Sequence, residues 1–186
     1  MLVLGISGSL RRDSHNTRLL SAAGEIVKAT GAEFEMFDGL KAIPPYDEDD
    51  DVGEGPAAVA RLREAIAGAD ALLFATPEYN SSIPGVLKNA IDWASRPTGA
   101  SALRNKPVIV IGASTGMFGA VWAQAELRKV LGATGARVAE AELAVGHAHE
   151  QLDPFGHPVD PAQREALRDS VEVLLSELHD VAAMAA

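Results

Sequence analysis

Apolar and polar positions along the chain fall into two alternating rhythms. "LVLGIS" (residues 2–7), "ALLFAT" (71–76) and "PVIVIGAS" (107–114) are apolar at nearly every position, which predicts strands covered on both faces. "EFEMFD" (33–38) alternates and predicts a more exposed strand; "ARVAEAELAV" (136–145) is the candidate for a fifth. Between them, Leu19, Leu20, Ala23, Ile26 and Val27 share one helical stripe, and Val59, Leu62, Ile66 and Ala69 share another. Leu87, Ala90, Ile91 and Ala94 form a third behind Pro84, a residue suited to a first helical turn. Phe118, Val121, Trp122 and Ala125 begin a fourth, and Leu167, Val171, Leu174, Leu175 and Leu178 mark a long carboxy-terminal helix.

Strict alternation of strand and helix implies a parallel sheet covered on both faces, a doubly wound α/β fold. No repeat or linker interrupts it, so residues 1–186 are expected to form one domain. In such sheets ligands bind beyond the carboxyl ends of the strands. That brings together the loops 7–16, 76–84 and 114–119, all rich in hydroxyl or amide side chains.

Composition narrows the chemistry. There is no cysteine, hence no disulfide, thiol nucleophile or soft metal ligand. A formal net charge of −10 argues against nucleic acid or an anionic membrane as partner. No run approaches the ~20 apolar residues of a membrane span. The opening "MLVLGI" has no basic region and is too short for a signal peptide, so a cytoplasmic protein is expected. "DEDDD" (47–51) reads as a solvated acidic loop, and Glu25, Arg61, Arg63, Glu64 and Arg128 as solvated helix faces.

The first loop, "GISGSLRRDSHN" (5–16), is built for an anion. A helix starting near residues 14–16 leaves backbone N–H groups unpaired at the positive end of its dipole. Ser7, Ser9, Ser14, Asn16 and Thr17 add neutral donors, and Arg11 can grip two oxygens at once. A phosphate monoester suits this set. The loop has neither the lysine of a P-loop nor the spacing of a dinucleotide fingerprint. His15 is read as solvent-exposed, with a contact to the phosphate as the alternative.

"TPEYNSSIPGVLKNAIDW" (76–93) is the most specific stretch. With "GSLRRDSHN" (8–16) and "GASTGMFG" (112–119), in this order and spacing, it resembles the NADPH-dependent FMN reductase family, a flavodoxin-like group that includes quinone, azo-dye and chromate reductases. The likeness covers roughly the first 140 residues. It implies a flavodoxin-like five-stranded parallel sheet in the order 2-1-3-4-5, a bound FMN, NAD(P)H as hydride donor, and a small-molecule acceptor such as a flavin, quinone, azo compound or metal oxyanion. Carried residue by residue, it sets Ser9, Arg11, Ser14, Asn16 and Thr17 at the FMN phosphate. Pro77, Glu78, Tyr79 and Asn80 fall at the ribityl chain and isoalloxazine ring, and Ser114, Thr115 and Gly116 at the other side of the flavin. No side chain is expected as a catalytic acid, base or nucleophile, and no metal site is expected. The family also implies a homodimer or a dimer of dimers; the helix after Pro84 and the Phe118 to Trp122 segment are the candidate contacts. Where members often carry a basic residue in the helix after the third loop, this chain has Trp122. Lys88 and Asn89 are read as structural, with Asn89 bracing the 76–84 loop before its helix, and Trp93 as core or subunit interface.

Two other classes fit parts of the sequence. "GASTG" (112–116) matches the G-x-S-x-G elbow of serine hydrolases, with Ser114 as nucleophile and Asp153 and His157 downstream in the expected order. The acidic surface suits a flavodoxin-type electron carrier. His147, His149, His157 and Asp153 raise a metal site, in a spacing that fits loop histidines better.

Overall fold

The computed structural model describes residues 1–185, with side chains through Leu178. The elements are β1 (Leu2–Ser7), α1 (His15–Ala29), β2 (Glu33–Phe37), α2 (Ala57–Gly68), β3 (Ala71–Thr76), α3 (Gly85–Ala94), β4 (Pro107–Ala113), α4 (Val121–Ala133), β5 (Arg137–Val138), β6 (Ala144–Val145), α5 (Ala148–Gln151) and α6 (Pro161–Ala185). All strand pairs are parallel and run β2-β1-β3-β4-β5, the flavodoxin-like order that the sequence implied.

Successive strand residues face opposite sides, so each apolar strand feeds two cores. Val3, Leu73, Ile109 and Ile111 pack with Leu19 and Leu20 of α1 and Leu167, Val171 and Leu174 of α6. Leu4, Ile6, Leu72, Phe74, Val108 and Val110 pack with Val59, Leu62, Leu87, Ile91, Leu127 and Leu131 on the other face. That double burial is why β3 and β4 are apolar throughout.

Two expectations change in detail. The fifth strand is split: Arg137 and Val138 pair with Pro107 and Val108, and Ala144 and Val145 with Gly112 and Ala113. Between them the Ala141 N–H turns back to the Ala139 carbonyl, which interrupts the ladder while Ala139, Ala141 and Leu143 stay buried and Glu140 and Glu142 stay out. The fourth helix begins at Val121, because Gly119 (φ 60°) and Ala120 (φ 63°) are left-handed; Phe118 therefore lies in the preceding turn.

Arg63 is a correction. Rather than a solvated face, it is a half-buried link that pairs with Asp51 at 2.8 Å and donates to the Trp93 carbonyl through Nε and Nη2. Within the 40–56 loop, Pro44 O accepts from both Asn89 Nδ2 (2.8 Å) and Trp93 Nε1 (2.9 Å), while Asn89 Oδ1 accepts from Tyr46 N–H at 2.7 Å. Asn89 thus braces the 40–56 loop rather than the 76–84 loop before its own helix, and Trp93, fully buried, belongs to the core.

Candidate functional site

Three loops meet at the carboxyl ends of β1, β3 and β4, and polar bonds stitch them together. The Gly8 N–H donates to the Ala75 carbonyl at 2.8 Å, tying the first loop to β3. A Cβ on Gly8 would lie 2.9 Å from Leu87 Cδ2 and 3.3 Å from Pro77 Cδ, so a larger residue there would press on the Leu87 side chain and on Pro77. Asn16, almost fully buried, donates through Nδ2 to the Ala113 carbonyl (2.8 Å) and accepts the Ala113 N–H at Oδ1 (2.9 Å). One side chain fastens the start of α1 to the end of β4.

The start of α1 is where the sequence predicted it. Ser14 is the N-cap and accepts from the Thr17 N–H at 3.2 Å; the Ser7 and Thr17 hydroxyls share a hydrogen bond of 2.8 Å. The N–H groups of His15 and Asn16 open the helix without an intrahelical acceptor. Beside them the exposed Arg11 guanidinium makes no ion pair among the described residues, while Ser9 Oγ accepts the Arg11 N–H at 3.4 Å. In a chain with 26 acidic and 16 basic residues, this cation stands free at a helix N-terminus.

The loops enclose a cleft of about 300 Å³. Ser9, Arg11, Ser14 and Asn16 line one side, Pro77, Glu78 and Tyr79 another, and Ser114 and Thr115 the third. Thr17, Asn80 and Gly116 lie just outside this lining. Thr17 turns to Ser7, Asn80 sits at an exposed tip, and the Gly116 carbonyl accepts from Ser114 Oγ and from the His147 N–H. A larger hollow of about 560 Å³ lies at the carboxyl ends of α3 and α4, among Arg96, Arg104 and Thr134. It is remote from the strand ends and from the α1 N-terminus that faces the smaller cleft.

His15 also lines the cleft, which departs from the exposed reading and agrees with the alternative of a place beside the phosphate. It is half-buried, and its Nδ1 lies 3.1 Å from Arg18 Nη2. Burial, then Arg18, Arg11 and His149, lower its pKa from the usual 6.5. The signal in the sequence is the three-residue spacing of His15 and Arg18, which puts them on one helix face.

Glu78 has a second task that its motif did not announce. Its Oε2 accepts the N–H groups of Trp122 and Ala123, both at 3.0 Å, and so caps α4, whose own N-cap residue is Ala120. A carboxylate there also meets the positive end of the helix dipole. Glu78→Ala is expected to cost about 1 kcal/mol of stability, and Glu78→Gln less, by thermal unfolding; equal midpoints for wild type and Glu78→Ala would refute the cap.

Tyr79 and Ser82 close a tight turn through paired backbone bonds of 3.1 Å, with Asn80 (φ 54°) and Ser81 (φ 60°) both left-handed. Tyr79 is 54% exposed at the cleft rim. Nearby, Phe118 and Trp122 stack edge to face at 4.9 Å and are about half exposed, as is Met117.

The hydrolase constellation is not assembled. Ser114 Oγ donates to the Gly116 carbonyl, Asp153 Oδ1 accepts the N–H groups of Phe155 and His157, and the His157 ring pairs with Glu25 at 3.1 Å. No group of three or more metal-ligating side chains forms among the described residues, at 47–51 or around His147 and His149. No helix among them is long and apolar enough to cross a membrane.

Comparison with known proteins agrees with this geometry. A family model described as NADPH-dependent FMN reductase matches residues 1–150. The chain is 44% identical over 173 residues to an NAD(P)H-dependent FMN reductase of Pseudomonas aeruginosa, covering 92% of each chain. It is 36% identical over 176 residues to a 2-hydroxy-1,4-benzoquinone reductase of a Burkholderia species, covering 94% of each. Among solved structures it is similar to FerB, a flavoenzyme NAD(P)H:(acceptor) oxidoreductase from Paracoccus denitrificans, with a TM-score of 0.82 and 33% identity over 96% of this chain and 97% of that one.

Proposed function

The chain belongs to the NADPH-dependent FMN reductase family and is an FMN-dependent NAD(P)H oxidoreductase; from that premise we propose that the cleft at the strand ends is its flavin site. The observation that carries the assignment is the free Arg11 guanidinium beside the capped N-terminus of α1. The donor set fits the cofactor: a dianionic phosphate finds helix N–H groups, serine hydroxyls and a guanidinium in one place. Ser9, Arg11, Ser14, Asn16 and Thr17 form the phosphate cradle. In that group Asn16 and Thr17 act mainly by holding the loop, since their side chains are bonded to Ala113 and Ser7. Pro77, Glu78, Tyr79 and Asn80 supply the flat side of the ring site, and Ser114, Thr115 and Gly116 border it opposite.

The chemistry the flavin supplies when bound is the acceptance of a hydride from NAD(P)H and its passage to a second acceptor. The residues around it bind and orient, and none is needed as acid, base or nucleophile. Backbone N–H groups and the α1 dipole favour negative charge at the cleft.

We assign the acceptor as a quinone. Two considerations support this: the Burkholderia relative is a quinone reductase, and the exposed Tyr79 ring at the cleft gives it an apolar surface suited to a flat ring. The Phe118 to Trp122 ridge and the exposed Val86 of α3 support a homodimer, or a dimer of dimers. The test is turnover by the purified protein alone. Given FMN and NAD(P)H, it should oxidise the nucleotide faster when a benzoquinone is added. Flavin uptake without nucleotide oxidation would instead return the reading to an electron carrier.

A further inference from the structure

Residues 152–158, beyond the 1–150 span of the family match, fold into a tight turn against α1. Leu152 and Pro158 form an antiparallel bridge, and the Asp153 N–H donates to the His157 carbonyl at 3.0 Å. Asp153 Oδ1 accepts the N–H groups of Phe155 (2.8 Å) and His157 (2.9 Å), which fixes the turn from inside. Burial opposes ionisation of Asp153, but the His157 and Phe155 N–H groups outweigh it and keep its pKa below the ordinary carboxylate value.

Gly156 is the contact point. It is buried at φ 96°, and a Cβ there would lie 2.2 Å from both the carbonyl carbon and oxygen of Arg18. The turn rests directly on that peptide of α1. A second tie, His157 Nε2 to Glu25 Oε2 at 3.1 Å, holds it lower on the same helix.

Arg18 links this seat to the cleft. Its Nε is buried with no hydrogen-bond partner among the described residues, so packing rather than bonding fixes that part of the side chain. Its Nη2 lies 3.1 Å from His15 Nδ1. Arginine can only donate, so Nδ1 accepts, and in the neutral ring the hydrogen sits on Nε2 as a donor. Arg11 and Arg18 from α1 and its loop, and His149 from α5, are the charged or titratable groups acting on this ring.

We propose that Gly156 is a positioning residue for the FMN phosphate: the 152–158 turn, seated on the Arg18 peptide, holds the Arg18–His15 pair so that His15 donates into the phosphate cradle. The proposal rests on the assignment of the cleft to FMN. Its readout is preference for FMN over riboflavin, since the two differ only by the phosphate.

Full-length Gly156→Ala, Arg18→Gln and Arg11→Ala proteins are titrated with each flavin, following flavin fluorescence. Gly156→Ala and Arg18→Gln are expected to weaken FMN binding at least fivefold and to leave riboflavin binding within twofold of wild type. Equal loss of both flavins in Gly156→Ala, or unchanged FMN preference in both variants while Arg11→Ala loses it, overturns the proposal and leaves the cradle standing. FMN preference unchanged in all three overturns the cradle as well. If Gly156→Ala does not fold, Arg18→Gln decides, because it introduces no clash at the turn.

Discussion

Replacing Arg11 by alanine raises the dissociation constant for FMN by roughly 10- to 100-fold, while the thermal midpoint stays close to that of wild type. The magnitude follows from charge-assisted hydrogen bonds, which contribute about 1.5–3 kcal/mol when one partner is ionised. The selectivity follows from geometry. Arg11 lines the cleft, is exposed, and its side chain has no ion-pair partner among the described residues, so its removal leaves no buried group unsatisfied. A stability loss comparable to the affinity loss would mean that Arg11 is a structural link and that the phosphate sits elsewhere.

Trp93→Ala lowers stability by about 3–5 kcal/mol, a fall in melting temperature of roughly 10 °C. Trp93 is fully buried, its indole edge packs against Tyr46 at 4.8 Å, and Arg63 lies 5.8 Å over its ring. Removing the ring opens a cavity and takes one of two donors from the Pro44 carbonyl, the other being Asn89 Nδ2. Trp93→Phe is expected to recover most of the packing and to lose only the hydrogen bond, worth about 1 kcal/mol. Both are read by thermal or denaturant unfolding. A Trp93→Ala protein as stable as wild type would contradict the description of this core.

The motif at 76–93 therefore does two jobs. Pro77, Glu78 and Tyr79 line the cleft, while Asn89 and Trp93, one and two helical turns further along, anchor the 40–56 loop. The first half was legible through the motif's resemblance to the FMN reductase family. The second half was legible only as an apolar stripe, since nothing local says which carbonyl an indole will find. The doubly wound layout was open to reading because strands apolar at every position must be covered on both faces, whereas the strand order came only with the family resemblance. The split of the fifth strand was not legible, because alternation of Ala139, Glu140, Ala141, Glu142 and Leu143 is the pattern of a regular strand, and the break lies in the backbone turn at Ala141. Glu78 capping α4, Asn16 fastening α1 to Ala113, and Arg63 reaching Asp51 and Trp93 all join residues at least 12 positions apart. Such pairings are set by the fold and leave no spacing to read.

The central claim is that the bend after β1 grips the phosphate of FMN. A crystal of the protein grown with FMN tests it directly: phosphate density should lie within hydrogen-bond distance of Ser9, Arg11 and Ser14, with the flavin ring between Tyr79 and the loop at 114–116. Flavin density at any other place, or a bend empty beside saturating FMN, would contradict it.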